Sequence, residues 1–94
     1  MAVRYVLFYE SGDDIASRAP AHFPDHWARC QQFHADGTLL QVGTFADPQQ
    51  NGSMGIFSTR EAAEAFVADD PFVRNQVVKS WRILEWNDGF APEL

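Results

Sequence analysis

The chain has 94 residues and one cysteine, Cys30. A single thiol cannot close an internal disulfide, so a disulfide-stapled scaffold is excluded. Positive charge is scarce too: seven Lys and Arg stand against thirteen Asp and Glu, for a net charge of -6. Phosphate backbones are bound by clustered Lys and Arg, so a nucleic-acid partner is not expected. Long hydrophobic runs are missing. The apolar stretch Val3 to Tyr9 is interrupted by Arg4 and is too short for a membrane span or a signal-peptide core, which makes the reducing cytoplasm the default compartment and leaves no role for a membrane. There is also no phosphate-cradling glycine loop, dinucleotide fingerprint or serine elbow, so no cofactor is expected.

What the chain does have is apolar bulk. Hydrophobic residues make up 46% of it, and three Trp and eight Phe supply most of the surface available for burial. This suffices for one modest core, and residues 1–94 are read as a single domain.

The segment VRYVLFYE (Val3 to Glu10) is rich in β-branched and aromatic residues and stops at the turn cluster SGDD, which predicts a strand. From Pro24 to Asp36 a helix is expected. Phe23, Trp27, Cys30 and Phe33 recur at helical spacing, Pro24 suits a first turn and Gly37 a C-terminal stop. Thr38 to Phe45 and Ser53 to Ser58 read as strands joined by the turn-forming loop Asp47 to Gly52.

Ser58 and Glu61 have capping-box spacing, and Ala62, Ala63, Phe66 and Val67 form a stripe, predicting a helix over about Thr59 to Asp69. Pro71 ends it, because a residue before proline resists the helical conformation. Val77 to Trp86 reads as a long final strand and NDGFAPEL as a polar tail.

The order β-α-β-β-α-β is the α+β, ferredoxin-like pattern: two helices on one face of a four-stranded antiparallel sheet. The other face has no cover within the chain. Yet the first strand is apolar on both sides, with Tyr5 and Leu7 opposing Val6 and Phe8, and the last sets Trp81 and Ile83 against Leu84 and Trp86. That pattern predicts a homodimer formed through sheet faces.

RAPAHFPDHWARCQQFHADGTLLQVGTF followed by DDPFVRNQVVKSWRILEW resembles the YciI-like (YCII) family of small dimeric α/β-barrel proteins over nearly the whole chain. The specific elements are a helix-borne histidine eleven residues before the glycine that ends the helix, here His26 and Gly37, and the step Asp70-Pro71-Phe72. The resemblance implies a ferredoxin-like monomer, a dimer joined through sheet faces, and an active site centred on His26 and Asp70. The few family members with an assigned reaction include a dehydrochlorinase of a chlorinated hydroxyquinol, and the barrel architecture is similar to that of muconolactone isomerases.

The residues themselves leave alternatives open. Imidazole titrates near neutral pH, so His26 is a candidate general acid or base with Asp70 as its orienting carboxylate. A partly buried histidine satisfied by a hydrogen bond, and an aspartate that merely caps a turn, are the bland readings of the same pair. His22 and Arg18 are candidate substrate-binding residues, Arg18 through its fork of donors, with a solvated loop charge as its alternative.

His22 and His26 stand four residues apart, a spacing found in metal sites, but no third ligand is evident and no metal is expected. His34 is read as a surface residue or a C-terminal cap. Cys30 is read as packing rather than a nucleophile, and Tyr5, Tyr9 and Trp81 as core, with cavity lining as their alternative. The leading expectation is a small cofactor-independent lyase or isomerase that moves a proton on a small cyclic or phenolic molecule. A noncatalytic ligand-binding or regulatory module is the alternative, and a purely structural dimerisation domain has no need of a histidine and an aspartate meeting at a cavity.

Overall fold

A computed structural model describes residues 2–90. Its elements are β1 (Ala2–Ser11), α1 (Ile15–Arg18), α2 (Phe23–Ala35), β2 (Leu39–Thr44), α3 (Pro48–Asn51), β3 (Ser53–Phe57), α4 (Arg60–Asp69), α5 (Pro71–Arg74) and β4 (Val78–Asp88). The strands form an antiparallel sheet in the order β2-β3-β1-β4, the ferredoxin-like arrangement expected from the element order. Four differences from the sequence reading are local. α1, α3 and α5 are single turns inside expected loops, too short to show a hydrophobic period. β4 runs on through Asn87 and Asp88, because pairing with Val3 and Ala2 carries two polar residues that propensity alone assigns to the tail. Of the rest of that tail, Gly89 and Phe90 form a turn, and residues 91–94 lie outside the described residues.

The ends of the two long helices show how local chemistry sets their positions. α2 closes in a Schellman motif: Gly37 N–H donates to the His34 carbonyl at 3.0 Å and Thr38 N–H to the Phe33 carbonyl at 3.1 Å, with Gly37 at φ 81°. α4 is capped by Thr59, whose hydroxyl accepts from Ala62 N–H at 3.1 Å. The expected Ser58–Glu61 box is thus displaced by one residue, since Thr59 is the one with extended backbone (φ -136°, ψ 153°) at the helix entrance. Asp70 is extended as well, at φ -68° and ψ 122°, as its place before Pro71 requires. The chain therefore breaks between α4 and α5 at this residue.

Directly paired residues of an antiparallel sheet share a face. On the inner face Leu7 and Tyr9 of β1 join Phe57 and Leu39, and these pack against Cys30 of α2 and Ala63, Phe66 and Val67 of α4. Phe57 and Leu39 are each 1% exposed, at the centre of this core. The outer face carries Val6, Phe8, Met54, Ile56, Leu84 and Trp86, with Arg82 over the Phe8 ring at 4.9 Å. Leu84 and Trp86 remain nearly half exposed there. The stripe of α2 divides: Cys30 and Phe33 enter or border the core, whereas Phe23 and Trp27 stack on each other at 6.1 Å and stay exposed.

Two glycines make a discriminating test of this geometry. Gly52, at φ 74°, sits where an added Cβ would lie 2.0 Å from the Tyr9 carbonyl oxygen, while Gly37 has open space around it. Gly37→Ala is expected to cost about 1 kcal/mol, the strain of a left-handed non-glycine residue. Gly52→Ala must also move β1 or β3, and is expected to cost more than about 3 kcal/mol. Urea unfolding of the two variants measures both.

Candidate functional site

Asp70 is fully buried, at 0% exposure. A carboxylate cannot remain in such a place unless its oxygens are supplied with donors. Three elements supply them. Tyr9 of β1 donates its hydroxyl to Oδ2 at 2.6 Å, Phe72 N–H of α5 donates to Oδ1 at 3.1 Å, and His26 Nδ1 of α2 lies 2.8 Å from Oδ1. Because a carboxylate accepts only, this pattern places the imidazole proton on Nδ1. Asp70 is thus the α5 cap and the partner of His26 at once.

His26 is held by its surroundings as well as by its hydrogen bond. Its ring stacks on Phe72 with centroids 3.9 Å apart and planes 7° off parallel, and Phe66 meets it edge-on at 6.1 Å. The helix bearing it is fixed to α4 by Arg29, whose Nε donates to the Phe66 carbonyl at 3.1 Å and Nη2 to the Ala65 carbonyl at 2.7 Å. These carbonyls belong to the last turns of α4, where a cation is favoured by the helix dipole. One turn of α2 therefore carries both the clamp and the imidazole.

His26 Nε2 lies 3.6 Å from Cys30 Sγ, one helical turn on. The thiol is buried, and burial first, then the Asp70 charge, pushes its pKa up from 9.0 to about 12. It is a neutral S–H, a weak donor toward Nε2 and not a nucleophile. Burial likewise raises the Tyr9 phenol well above its ordinary range, reinforced by the charge and hydrogen bond of Asp70. Tyr9 stays a donor.

His26 and Tyr9 border a cavity of about 140 Å³ between α2 and the β1-β3-β2 part of the sheet. Its wall is mostly apolar, with Phe23 and Trp27 of α2, Phe72 of α5 and Val42 of β2 among its lining. A nitrogen base beside an apolar cavity, oriented by a buried carboxylate, is an arrangement able to exchange a proton with a bound molecule.

The other sequence candidates fall elsewhere. His22 stands at the start of α2, partly exposed, its carbonyl accepting His26 N–H at 3.1 Å, and it does not line the cavity. Arg18 donates to the carbonyls of Asp13 at 3.3 Å and Asn75 at 3.0 Å and borders a separate cleft with Trp81. Trp81 is nearly half exposed, and Tyr5 packs at the core margin. His34 is exposed, with Nδ1 2.8 Å from the Leu39 carbonyl. Among the described residues, no cluster of three or more His, Cys, Asp or Glu is placed to hold a metal ion.

Two contributors were not assigned a part in the pair by the sequence: Tyr9 as a donor to Asp70, and Phe72 as the stacking surface for His26. The alternation of β1 puts Tyr9 on the inner face with Leu7, but its partner is sixty-one residues away.

The two neutral, buried acids give a pH dependence of definite sign. The unfolded chain releases the Cys30 proton near pH 9.0 and the folded chain near 12, so above about pH 9 the unfolded state binds fewer protons and stability falls, by up to about 1.4 kcal/mol per pH unit for each such group. Below that range the contribution is complete. Tyr9→Phe is expected to cost about 1–3 kcal/mol at neutral pH, because a buried carboxylate oxygen loses its donor, and to flatten the alkaline decline. Urea midpoints at neutral pH and near pH 10 check both.

No curated protein matches the chain. Among solved structures, 5-chloro-2-hydroxyhydroquinone dehydrochlorinase (TftG) from Burkholderia phenoliruptrix AC1100, in complex with 2,5-dihydroxybenzoquinone, is similar with a TM-score of 0.71 at 17% sequence identity, covering 92% of this chain and 95% of that one. At that identity the likeness is one of fold. The YCII-related domain matches residues 3–87, nearly the whole described chain. The chain belongs to the YCII-related domain family.

Proposed function

We propose that this protein is a small cofactor-independent enzyme of the lyase or isomerase type, dehydrochlorination included, in which His26 moves a proton on a small cyclic or phenolic molecule. The observation that carries the reading is the fully buried Asp70 held 2.8 Å from His26 Nδ1 beside an apolar cavity. With Nδ1–H committed to Asp70, Nε2 carries the free lone pair. In the reaction it accepts a proton from the ligand, and Asp70 stabilises the resulting imidazolium. The weak thiol contact of Cys30 is the bond a ligand proton displaces. The dehydrochlorinase of similar fold supports an elimination in two stages: the proton His26 takes from one hydroxyl is returned to the chlorine-bearing ring carbon, giving the keto form, and loss of a second hydroxyl proton then lets the ring's electron pair expel chloride and leaves a quinone.

The working form is proposed to be a homodimer in which a second copy covers the outer sheet face. Leu84 and Trp86, nearly half exposed there, and Phe8 and Met54, partly exposed, form an apolar surface over the buried Val6 and Ile56, and a two-fold axis matches such a face to itself. The cytoplasm is its proposed compartment, where the unpaired thiol of Cys30 remains reduced. Among the described residues no helix is long and apolar enough to cross a membrane.

The expected outcome for the site is turnover by the wild-type protein within a panel of chlorinated phenols and cyclic lactones, read as chloride release or as deuterium uptake from heavy water. His26→Ala should lower it by about 10²–10⁴-fold, the usual contribution of a general acid or base. Asp70→Asn should impair it less. If ligands enter the cavity and no member of the panel reacts faster than with His26→Ala, the protein is a binding module instead. For the dimer, sedimentation at micromolar concentration should give twice the chain mass, and Leu84→Glu should give a folded monomer.

A further inference from the structure

The cavity has one polar feature that the proton-transfer reading leaves unused. Tyr9, Ser53 and Thr44 occupy neighbouring register positions on β1, β3 and β2, Tyr9 opposite Ser53 and Ser53 opposite Thr44. The three hydroxyl residues form a row across the inner face, and all line the cavity. The Tyr9 hydroxyl is committed to Asp70. Those of Ser53 and Thr44 have no partner among the described residues, and both can donate and accept.

The cavity offers a ligand no fixed cation. Among the described lining residues there is no Lys or Arg, and the ionisable group behind His26 is the carboxylate of Asp70. Arg29, the basic residue on the same helix, donates to the backbone of α4 and does not line the cavity. A carboxylate bound here would lose part of its hydration with no Lys or Arg on the lining to replace it, would find in His26 a ring already paired with Asp70, and would meet a chain of net charge -6. A neutral hydroxyl or oxo group meets two hydroxyls able to bond it. The volume of about 140 Å³ is close to that of an apolar cavity of about 150 Å³ known to take up benzene, and Phe23, Trp27 and Phe72 present ring surfaces to a planar guest.

We propose that Ser53 and Thr44 are the specificity-determining residues of this cavity: they hold a second hydroxyl or oxo substituent of a neutral, planar six-membered ring whose first substituent meets His26, and the site discriminates against ring carboxylates. The proposal rests on reading the cavity as the ligand site. It is measured by binding alone, so it stands or falls separately from proton transfer.

The probes are resorcinol, phenol and meta-hydroxybenzoate, titrated into the full chain and followed by nitrogen-proton NMR. Resorcinol should shift the Trp27 indole and Gly55 amide signals and bind at least about tenfold more tightly than meta-hydroxybenzoate, which differs from it by one carboxylate in place of a hydroxyl. In the Ser53→Ala, Thr44→Val double variant its affinity should fall by about fivefold to tenfold, the worth of a neutral hydrogen bond, to the level of phenol. Phenol should bind this variant as it binds the wild type, which shows that the cavity has stayed folded. His26→Gln should keep the preference for resorcinol over the carboxylate while losing turnover. Equal or tighter binding of meta-hydroxybenzoate to the wild type overturns the proposal. So does an absence of Trp27 and Gly55 shifts with either neutral ring, or an unchanged resorcinol affinity in a double variant that still binds phenol.

Discussion

A carboxylate taken wholly out of water costs several kcal/mol unless donors replace the water it has lost, and Asp70 is such a carboxylate. Its donors come from β1, α2 and α5, so the demand of one side chain ties the centre of the sheet, the long first helix and the last helical turn to a common point. Removing any one donor leaves charge uncompensated in the interior, a larger penalty than the loss of an ordinary surface hydrogen bond. The same requirement organises the chemistry, since the group that must be satisfied for the chain to fold is the group that orients His26.

The surrounding structure meets that requirement with constraints of several kinds. Pro71 forces Asp70 out of helical geometry, which separates α4 from α5 and lets its carboxylate cap the second while facing the first helix. Arg29 locks α2 to the C-terminal carbonyls of α4, where its charge is favoured. Phe72, fixed immediately after the proline, gives the imidazole a parallel surface at 3.9 Å. Each constraint is modest by itself. Together they leave the His26 ring little rotational freedom, the preorganisation that the proposed proton transfer would use.

Much of the fold was legible because its signals are local. Alternation in β1 and β4, the stripe of α4, Gly37 after α2 and Pro71 after Asp70 act over a few residues, and the structure follows them to within one or two positions. The double apolarity of β1 was equally legible, and in the structure its two sets part cleanly, Leu7 and Tyr9 inward and Val6 and Phe8 outward. The failures were of range or length. Single-turn α1, α3 and α5 are too short for periodicity, and the continuation of β4 depends on a partner strand at the opposite end of the chain. Phe23 and Trp27 obey the helical period yet stay exposed at the cavity edge, because the period states which side of α2 they share and not whether anything covers it.

For the candidate site the division is sharper. The amino-acid sequence by itself determined the family pattern, the strand and helix order, and the two residue types whose chemistry suits proton transfer, His26 on a helix and Asp70 before a proline. Only the tertiary structure decided that they meet at 2.8 Å, that Tyr9 completes the carboxylate's shell, and that the cavity is lined without Arg18 and His22. It also decided that Ser53 and Thr44 share a row with Tyr9. The physical reason is that helical and strand periods act within one segment, whereas the shell around a buried charge is assembled from side chains that sequence spacing does not relate. They are brought together by packing, and the burial that packing creates is what makes their hydrogen bonds obligatory.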